Sequence, residues 1–302
     1  MPSARVKAAA SARDARHLSR CLSLAARGAG QTSPNPMVGA VLVRGGRIIA
    51  QGYHRRAGLP HAEAMALRRA GPLARGATLY VNLEPCSHFG RTPPCVRAIV
   101  AAGVRRVVAC HRDPFPLVNG RGFAALRGAG IRVDVGLLRA QAVRLNEAYL
   151  RCVGTRRPFV HVKAAISLDG RLATVTGASR WLSCGQSRRE AHRMRAISDA
   201  ILVGVRTVLE DDPRLTVRVG RKERRATGPL KVVMDSRLRT PPAARLLAHG
   251  KPGSVIIYCT RQASAARQRR LARRGALVVA LRSDVQGRPA LRDALRDLET
   301  EK

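Results

Sequence analysis

Short apolar runs of strand length alternate with helical segments along this chain, and that alternation constrains the possible fold most. Strand-like runs occupy 37–43, 47–53, 77–83, 105–110 and 131–136, and helical segments occupy 14–28, 61–70, 95–103 and 121–129. A second set follows, with strand-like runs at 162–168, 199–205, 231–235, 254–259 and 276–281 and helices at 186–197 and 290–302. Strands that alternate with helices build layered sheets covered by helices. The sequence therefore predicts an α/β fold.

The chain length and the restart of the pattern near residue 156 predict two domains. A chain of 302 residues accommodates two domains of about 150 residues each. We place these domains at 14–155 and 156–302. Residues 1–13 are basic and lack the apolar core of a secretory signal, so we expect a disordered tail there. No apolar run approaches the ~18 residues needed to cross a bilayer.

The formal net charge of +37 suggests a nucleic-acid partner. Two observations argue against that interpretation. Of the 56 basic residues 50 are Arg, a bias typical of a GC-rich genome, and aromatic residues make up only 3% of the chain. Single-stranded nucleic acid would therefore find few stacking partners. We expect no nucleic-acid or membrane partner, and we expect some arginines to hold a phosphorylated small molecule.

Seven scattered cysteines do not form a disulfide framework, because their number is odd and their spacing irregular. Free thiols are typical of a reducing compartment. The sequence therefore predicts a cytoplasmic protein.

One constellation of residues carries most of the chemical information. His61 and Glu63 open a predicted helix, Cys86 lies in a loop, and Cys95 opens the next helix. One imidazole and two thiolates suit Zn²⁺ and leave a fourth position for a water molecule, whose pKa the metal lowers. Glu63 is then placed to move protons from that water to a leaving amine. This H-x-E…P-C…C arrangement indicates a zinc deaminase.

The spacing of the two cysteines bears on the substrate. A closed zinc site with His88 as fourth ligand is the alternative to a catalytic one. Eight residues separate Cys86 from Cys95, where deaminases of nucleosides and nucleic acids usually have two. The longer loop brings His88 and Arg91 to the rim of the site, and these residue types suit a phosphate.

Three long motifs carry a resemblance to a known family. The segments TSPNPMVGAVLV, GYHRRAGLPHAEAMAL and LEPCSHFGRTPPC resemble the bifunctional bacterial riboflavin-biosynthesis proteins of the RibD family. The resemblance continues through NEAYLRCVGTRRPFVHVKAAISLDGRLAT and MRAISDAILVGVRTVLEDDPRLTVR, so it covers nearly the whole chain from about residue 14. It implies a cytidine-deaminase-like α/β/α domain at 14–155, followed by a dihydrofolate-reductase-like α/β domain at 156–302.

For the first domain, the resemblance implies hydrolytic deamination of 2,5-diamino-6-ribosylamino-4(3H)-pyrimidinone 5′-phosphate. His61, Cys86 and Cys95 would be the zinc ligands and Glu63 the proton shuttle. The residues that match substrate-binding positions are Asn35, His54, His88 and Arg91. The family also implies a homo-oligomer.

For the second domain, the resemblance implies NADPH-dependent reduction of the ribosyl side chain. Positions that match substrate contacts are Lys163, Ser179, Arg195, Leu215 and Arg218, and those that match cofactor contacts are Ala165, Trp181, Thr207, Asp211 and Ser236. The family continues past a helix like 289–298 into a strand that ends in a Glu-Gly-Gly-type turn, which this sequence lacks. We therefore expect a reductase-like domain without its last strands, and whether reductase activity is kept stays open.

Two other functions remain as alternatives. The same deaminase could serve a related pyrimidine-derived secondary pathway. The protein could instead belong to a different class and bind or edit nucleic acid, as its charge suggests.

Overall fold

A computed structural model of the protein describes residues 4–177, 182–218, 228–248 and 253–300, with the side chains of 4–10 and 300 left out. The chain divides into two compact units, residues 1–159 and residues 160–302. Among the described residues, no helix combines the length and the apolar content that crossing a bilayer requires.

The first unit is built on a five-stranded mixed sheet. Its strands are β1 (Gly39–Arg44), β2 (Arg47–Tyr53), β3 (Thr78–Val81), β4 (Arg106–Ala109) and β5 (Arg132–Val135), in the order β2-β1-β3-β4-β5. β1 pairs antiparallel with β2 and β3, whereas β3, β4 and β5 run parallel. The predicted strands at 37–53, 77–83, 105–110 and 131–136 are confirmed, with somewhat shorter bounds.

Helices cover both faces of this sheet. They are α1 (Ala4–Ala26), α2 (Ala62–Ala70), α3 (Cys95–Ala101), α4 (Arg121–Gly128), α5 (Arg139–Leu145) and α6 (Glu147–Thr155). Leu42 and Leu79 face α2, α3 and α4, while Val41 and Val108 face α1 and α5. This alternation follows from the two-residue period of a strand. The unit is therefore a three-layered α/β/α sandwich, as the resemblance implied.

The first helix differs from the sequence prediction. We expected a disordered tail over residues 1–13, but α1 already begins at Ala4. The stretch ARVKAAASAR is rich in alanine, which has the highest helix propensity of all residues. The basic charge and the missing apolar core of a signal sequence favoured a disordered tail, and local helix propensity outweighed both.

A buried polar network joins α1 to the sheet. Asp14 accepts hydrogen bonds from the Tyr80 hydroxyl (2.6 Å) and from Arg106 Nη2 (2.7 Å). Arg106 also donates through Nε to Asp134 at 2.6 Å. Burial raises the pKa of Asp14, but the hydrogen bonds from Arg106 and Tyr80 outweigh it and hold that pKa below its usual range. The network therefore stabilises the folded unit where Asp14 is ionised.

We predict that Asp14→Asn destabilises the first unit by about 1–3 kcal/mol, since it leaves the buried ends of Tyr80 and Arg106 poorly paired. Asp134→Asn is the matched control. Its side chain is 34% exposed against 12% for Asp14, so we expect a loss below about 1 kcal/mol. Hydrogen exchange of amides in residues 11–155 measures both variants.

The same network predicts a pH dependence. Because the folded pKa of Asp14 is depressed, its contribution is present above the unfolded pKa of about 4. This contribution is lost as the pH falls through the pKa that Asp14 has in the folded protein, which is lower. Asp14→Asn should therefore flatten the loss of stability below about pH 4; an unchanged acid profile would contradict this assignment.

The second unit contains a four-stranded parallel sheet among its described residues. The strands β6 (Ala200–Gly204), β7 (Leu230–Met234), β8 (Val255–Thr260) and β9 (Leu277–Leu281) lie in the order β6-β7-β8-β9. The helices are α7 (Gly185–Ile197), α8 (Val205–Asp211), α9 (Arg245–Ala248), α10 (Ala265–Ala272) and α11 (Leu291–Thr300). Val233 and Ile257 pack toward α8, α9 and α10, and Val232 and Ile256 pack toward α11.

The predicted strand at 162–168 is wrong. In the part of the chain that the structure describes, residues 158–174 form no strand, and Val162 is 82% exposed. Only the predicted Asp-Gly turn forms, where Gly170 N–H donates to Ser167 O (3.0 Å). A strand needs a neighbouring strand to accept its backbone hydrogen bonds, and β6–β9 pair with one another instead.

Candidate active site

Three residues distant in sequence converge at the starts of two helices. His61 is the N-cap of α2, Cys95 is the first residue of α3, and Cys86 lies in the loop after β3. His61 Nδ1 is 3.5 Å from Cys86 Sγ and 3.3 Å from Cys95 Sγ. Their ligand atoms all lie within 4.8 Å of one another. The structure thus brings together all three residues that the sequence predicted as metal ligands.

The electrostatics of the two thiols suit a cation. Cys95 N–H donates to Cys86 Sγ at 3.3 Å. A separate hydrogen bond between the two side-chain thiols and, against burial, one with His61 lower the pKa of Cys86 to about 4. The same bond with Cys86, together with burial, raises the pKa of the Cys95 thiol. A divalent metal ionises a thiol that it binds, so the pair can supply two thiolates.

Glu63 lies in the first turn of α2 beside this cluster. Its side chain is 3% exposed, and its Oε2 has no hydrogen-bond partner among the described residues. Burial raises the pKa of Glu63 above its usual range. A buried carboxyl oxygen without a partner is costly, and such groups cluster at functional sites. One imidazole and two thiols, with the unpaired Oε2 of Glu63 beside them, fit a zinc ion that has one open coordination position.

Asn35 and His54 lie beside the metal ligands. His54 Nδ1 donates to Pro60 O (3.3 Å), and the Asn35 amide donates to His54 Nε2 (3.1 Å). The centroids of the His54 and His61 rings lie 5.2 Å apart, and the rings meet edge to face. Burial lowers the pKa of His54, so its ring is held neutral. The structure therefore joins both predicted substrate residues to the site.

His88 and Arg91 lie on the loop between the two cysteines. The half-buried ring of His88 packs against Phe115, with 5.4 Å between the ring centroids. Its Nδ1 has no hydrogen-bond partner among the described residues. Arg91 is exposed. Arg91 is thus open to solvent, and the place of both residues on the rim of the site stays a prediction.

Sequence analysis missed Glu84, a buried anchor of the cysteine loop. Its carboxylate is 4% exposed and accepts four backbone hydrogen bonds. The four donors belong to Asp113, Gly120, Gly122 and Phe123, at 2.9–3.2 Å. Glu84 comes two residues before Cys86, so it ties the metal loop to the start of α4. A charged residue at the end of an apolar strand was the only sequence signal for this role.

We predict that Glu84→Gln destabilises the first unit by about 2–4 kcal/mol. The NH₂ group of the glutamine donates hydrogen bonds and cannot accept them, so two of the four backbone N–H groups would lose their acceptor. Purified protein should also retain less metal. Glu147→Gln, at an exposed position of α6 in the same unit, is the control and should change neither quantity. Hydrogen exchange measures the stability of the purified variants, and metal analysis measures their bound metal. If Glu84→Gln and Glu147→Gln gave the same values, Glu84 would not be an anchor of the loop.

A second candidate site lies in the second unit. A cavity of about 490 Å³ is lined by Arg195, Asp211, Asp212, Pro213, Arg214, Leu215, Arg218 and Arg245. Burial and, next, the charge of Arg218 lower the pKa of Arg195. Two neighbouring guanidinium groups suit a phosphate dianion. Four of the residues predicted for the reductase site therefore meet in one cavity: Arg195, Asp211, Leu215 and Arg218.

The other predicted reductase residues that the structure describes do not line this cavity. Thr207 lies on α8 and Ser236 follows β7, while Ser179 and Trp181 lie outside the described residues. Ala165 is half-buried and Lys163 is exposed. Sequence analysis placed Lys163 in an apolar strand, and that placement is wrong because the strand does not form.

Comparisons with known proteins match both units of the chain. Residues 11–111 match the cytidine and deoxycytidylate deaminase zinc-binding region, and residues 158–302 match the RibD C-terminal domain. The riboflavin biosynthesis protein RibD of Aquifex aeolicus is 48% identical over 244 residues, covering 81% of this chain and 68% of that protein. The RibD protein of Escherichia coli is 46% identical over 260 residues, covering 83% and 70%.

Solved structures give the same result. Acinetobacter baumannii RibD has a TM-score of 0.86 at 38% identity and covers 96% of this chain and 78% of that one. A diaminohydroxyphosphoribosylaminopyrimidine deaminase/5-amino-6-(5-phosphoribosylamino)uracil reductase from Thermotoga maritima has a TM-score of 0.83 at 36% identity, with coverages of 96% and 79%.

Proposed function

Because this chain belongs to the RibD family of riboflavin biosynthesis proteins, we propose that its first unit deaminates diaminohydroxyphosphoribosylaminopyrimidine, the substrate named for the Thermotoga maritima protein. The chain is a zinc-dependent deaminase. The observation that carries the deamination proposal is the buried Glu63, whose Oε2 is unpaired among the described residues, beside His61, Cys86 and Cys95. The family favours neither the secondary-pathway nor the nucleic-acid alternative.

In this proposal, His61 Nδ1 and the sulfurs of Cys86 and Cys95 hold Zn²⁺. The bound ion supplies Lewis-acid activation of the water that replaces the amino group. Glu63 Oε2 takes a proton from the attacking water and delivers it to the departing nitrogen. A carbon–oxygen bond forms, the carbon–nitrogen bond breaks, and ammonia leaves. The raised pKa of Glu63 suits a group that both accepts and returns a proton.

Four further residues would bind the substrate. Asn35 and the neutral His54 offer an amide and an imidazole to the pyrimidine ring beside His61. His88 and Arg91, on the rim, would receive the ribose phosphate.

We further propose that the second unit reduces the ribosyl side chain. It matches the RibD C-terminal domain, whose cofactor is NADPH and supplies a hydride when bound. Arg195, Leu215 and Arg218 would hold the substrate in their cavity. Asp211, Thr207 and Ser236 come after the ends of β6 and β7, the edge where open α/β sheets bind cofactors. The described residues thus fit such a ligand.

The state of the cysteines bears on the cellular compartment of the enzyme. All seven cysteines are free in the structure, as a reducing cytoplasm maintains them. We propose a cytoplasmic homo-oligomer that acts on a small molecule. Light scattering of the purified protein checks the oligomeric state.

We expect the purified, zinc-loaded protein to release ammonia from the diaminopyrimidine ribosylphosphate and then to oxidise NADPH. Ammonia is measured chemically and NADPH by its absorbance, so the two steps are separated. A chelator should abolish ammonia release. Ammonia without NADPH oxidation would restrict the activity to deamination, and zinc-loaded protein that releases no ammonia would refute the substrate assignment.

Replacing Glu63 by Gln should lower ammonia release by roughly 10²–10⁴-fold while zinc stays bound, because the amide cannot carry the proton. Cys86→Ala should lose the zinc as well. Cys152→Ala, at a half-buried cysteine of α6, is the control and should keep both. Metal analysis and the ammonia assay on all three variants check this; retained turnover in Glu63→Gln would refute the proton-transfer role.

A further inference from the structure

Thr92 contacts the side of His61 that faces away from the sulfurs. His61 turns Nδ1 toward Cys86 and Cys95, at 3.5 and 3.3 Å. Its other ring nitrogen, Nε2, lies 3.3 Å from the Thr92 hydroxyl oxygen. An imidazole that offers a lone pair at Nδ1 carries its hydrogen on Nε2. The Thr92 oxygen is therefore placed to accept that hydrogen.

We propose that Thr92 is a positioning residue for the metal ligand His61. By accepting the Nε2–H bond, its hydroxyl selects the tautomer with a free Nδ1 and holds the ring in the orientation that meets both sulfurs. Outer partners of this kind raise metal affinity because the ligand is already oriented before the metal binds. The inference rests on the proposed zinc ligands, and goes beyond them to a residue of the cysteine loop.

The loop between the two cysteines is built to place this hydroxyl. At its far end, Cys95 N–H donates to Cys86 Sγ (3.3 Å) and Val96 N–H donates to Cys86 O (3.2 Å). Within it, Gly90 N–H donates to Thr92 O at 3.3 Å. Two prolines, residues 93 and 94, directly follow Thr92 and restrict the backbone there. Thr92 is thus held from both sides, half-buried.

A second contact on the His61 ring does not replace this one. The ring of His54 packs edge to face against the His61 ring, with 5.2 Å between the ring centroids, and limits how the His61 ring can tilt. It does not select a tautomer of His61, because Asn35 and Pro60 engage both nitrogens of His54. The contact at Nε2 of His61 therefore belongs to Thr92 and not to His54.

The test compares Thr92→Val with Thr92→Ser. Valine keeps the shape of threonine and removes the acceptor, whereas serine keeps the hydroxyl and removes the methyl group. We expect Thr92→Val to weaken zinc binding by roughly 10–100-fold and Thr92→Ser to stay within about threefold of the unsubstituted protein. Competition with a chromophoric chelator measures the affinity, and the visible spectrum of the Co²⁺-loaded protein should change in Thr92→Val alone.

Unchanged zinc affinity in Thr92→Val would overturn the proposal. Equal weakening in both variants would also overturn it, because that pattern indicates packing rather than a hydrogen bond. Thr92→Ala, which also lacks the acceptor, decides the matter if Thr92→Val does not fold. Failure of the unsubstituted protein to bind zinc would instead refute the proposed ligand set, so the two failures are distinguishable.

Discussion

The first unit depends on one buried carboxylate. Glu84 gathers four backbone N–H groups from the segment 113–123 and thereby fixes the chain just before Cys86. The approach is close enough that a side chain at Gly122 would meet Pro85 O at 2.1 Å. A carboxylate can be buried when backbone donors replace its hydration. With that loop held, Cys86 reaches the helix starts that carry the other two ligands.

The N-termini of two helices position the other residues of the candidate metal site. His61 precedes the first residue of α2, Glu63 lies in its first turn, and Cys95 begins α3. At a first turn, residues two apart can face one cavity, which they could not do in mid-helix. Glu63 Oε2 is buried without a hydrogen-bond partner among the described residues, and such groups are concentrated at functional sites.

The two units share one architectural principle. In the first, the loops after β3 and β4 carry Cys86 and Asp113. In the second, residues after β6 line the cavity with Arg218, and Arg195 of α7 joins them there. Parallel strands place their carboxyl ends along a common edge, where loops from several strands meet. Each unit thus assembles its site from segments far apart in sequence. The chemistry differs because the loops differ: sulfur and imidazole in one, guanidinium groups in the other.

By itself, the sequence predicted the described strands of both sheets, six of the helices and the candidate metal ligands, because periodicity and short motifs act over a few neighbouring residues. Tertiary structure decided the rest. Whether 162–168 forms a strand depends on a pairing partner elsewhere in the chain, so Lys163 was placed wrongly. The roles of Glu84 and Thr92 depend on which backbone groups and which ring nitrogen lie opposite them. Such contacts join residues about thirty positions apart, and no local pattern encodes them.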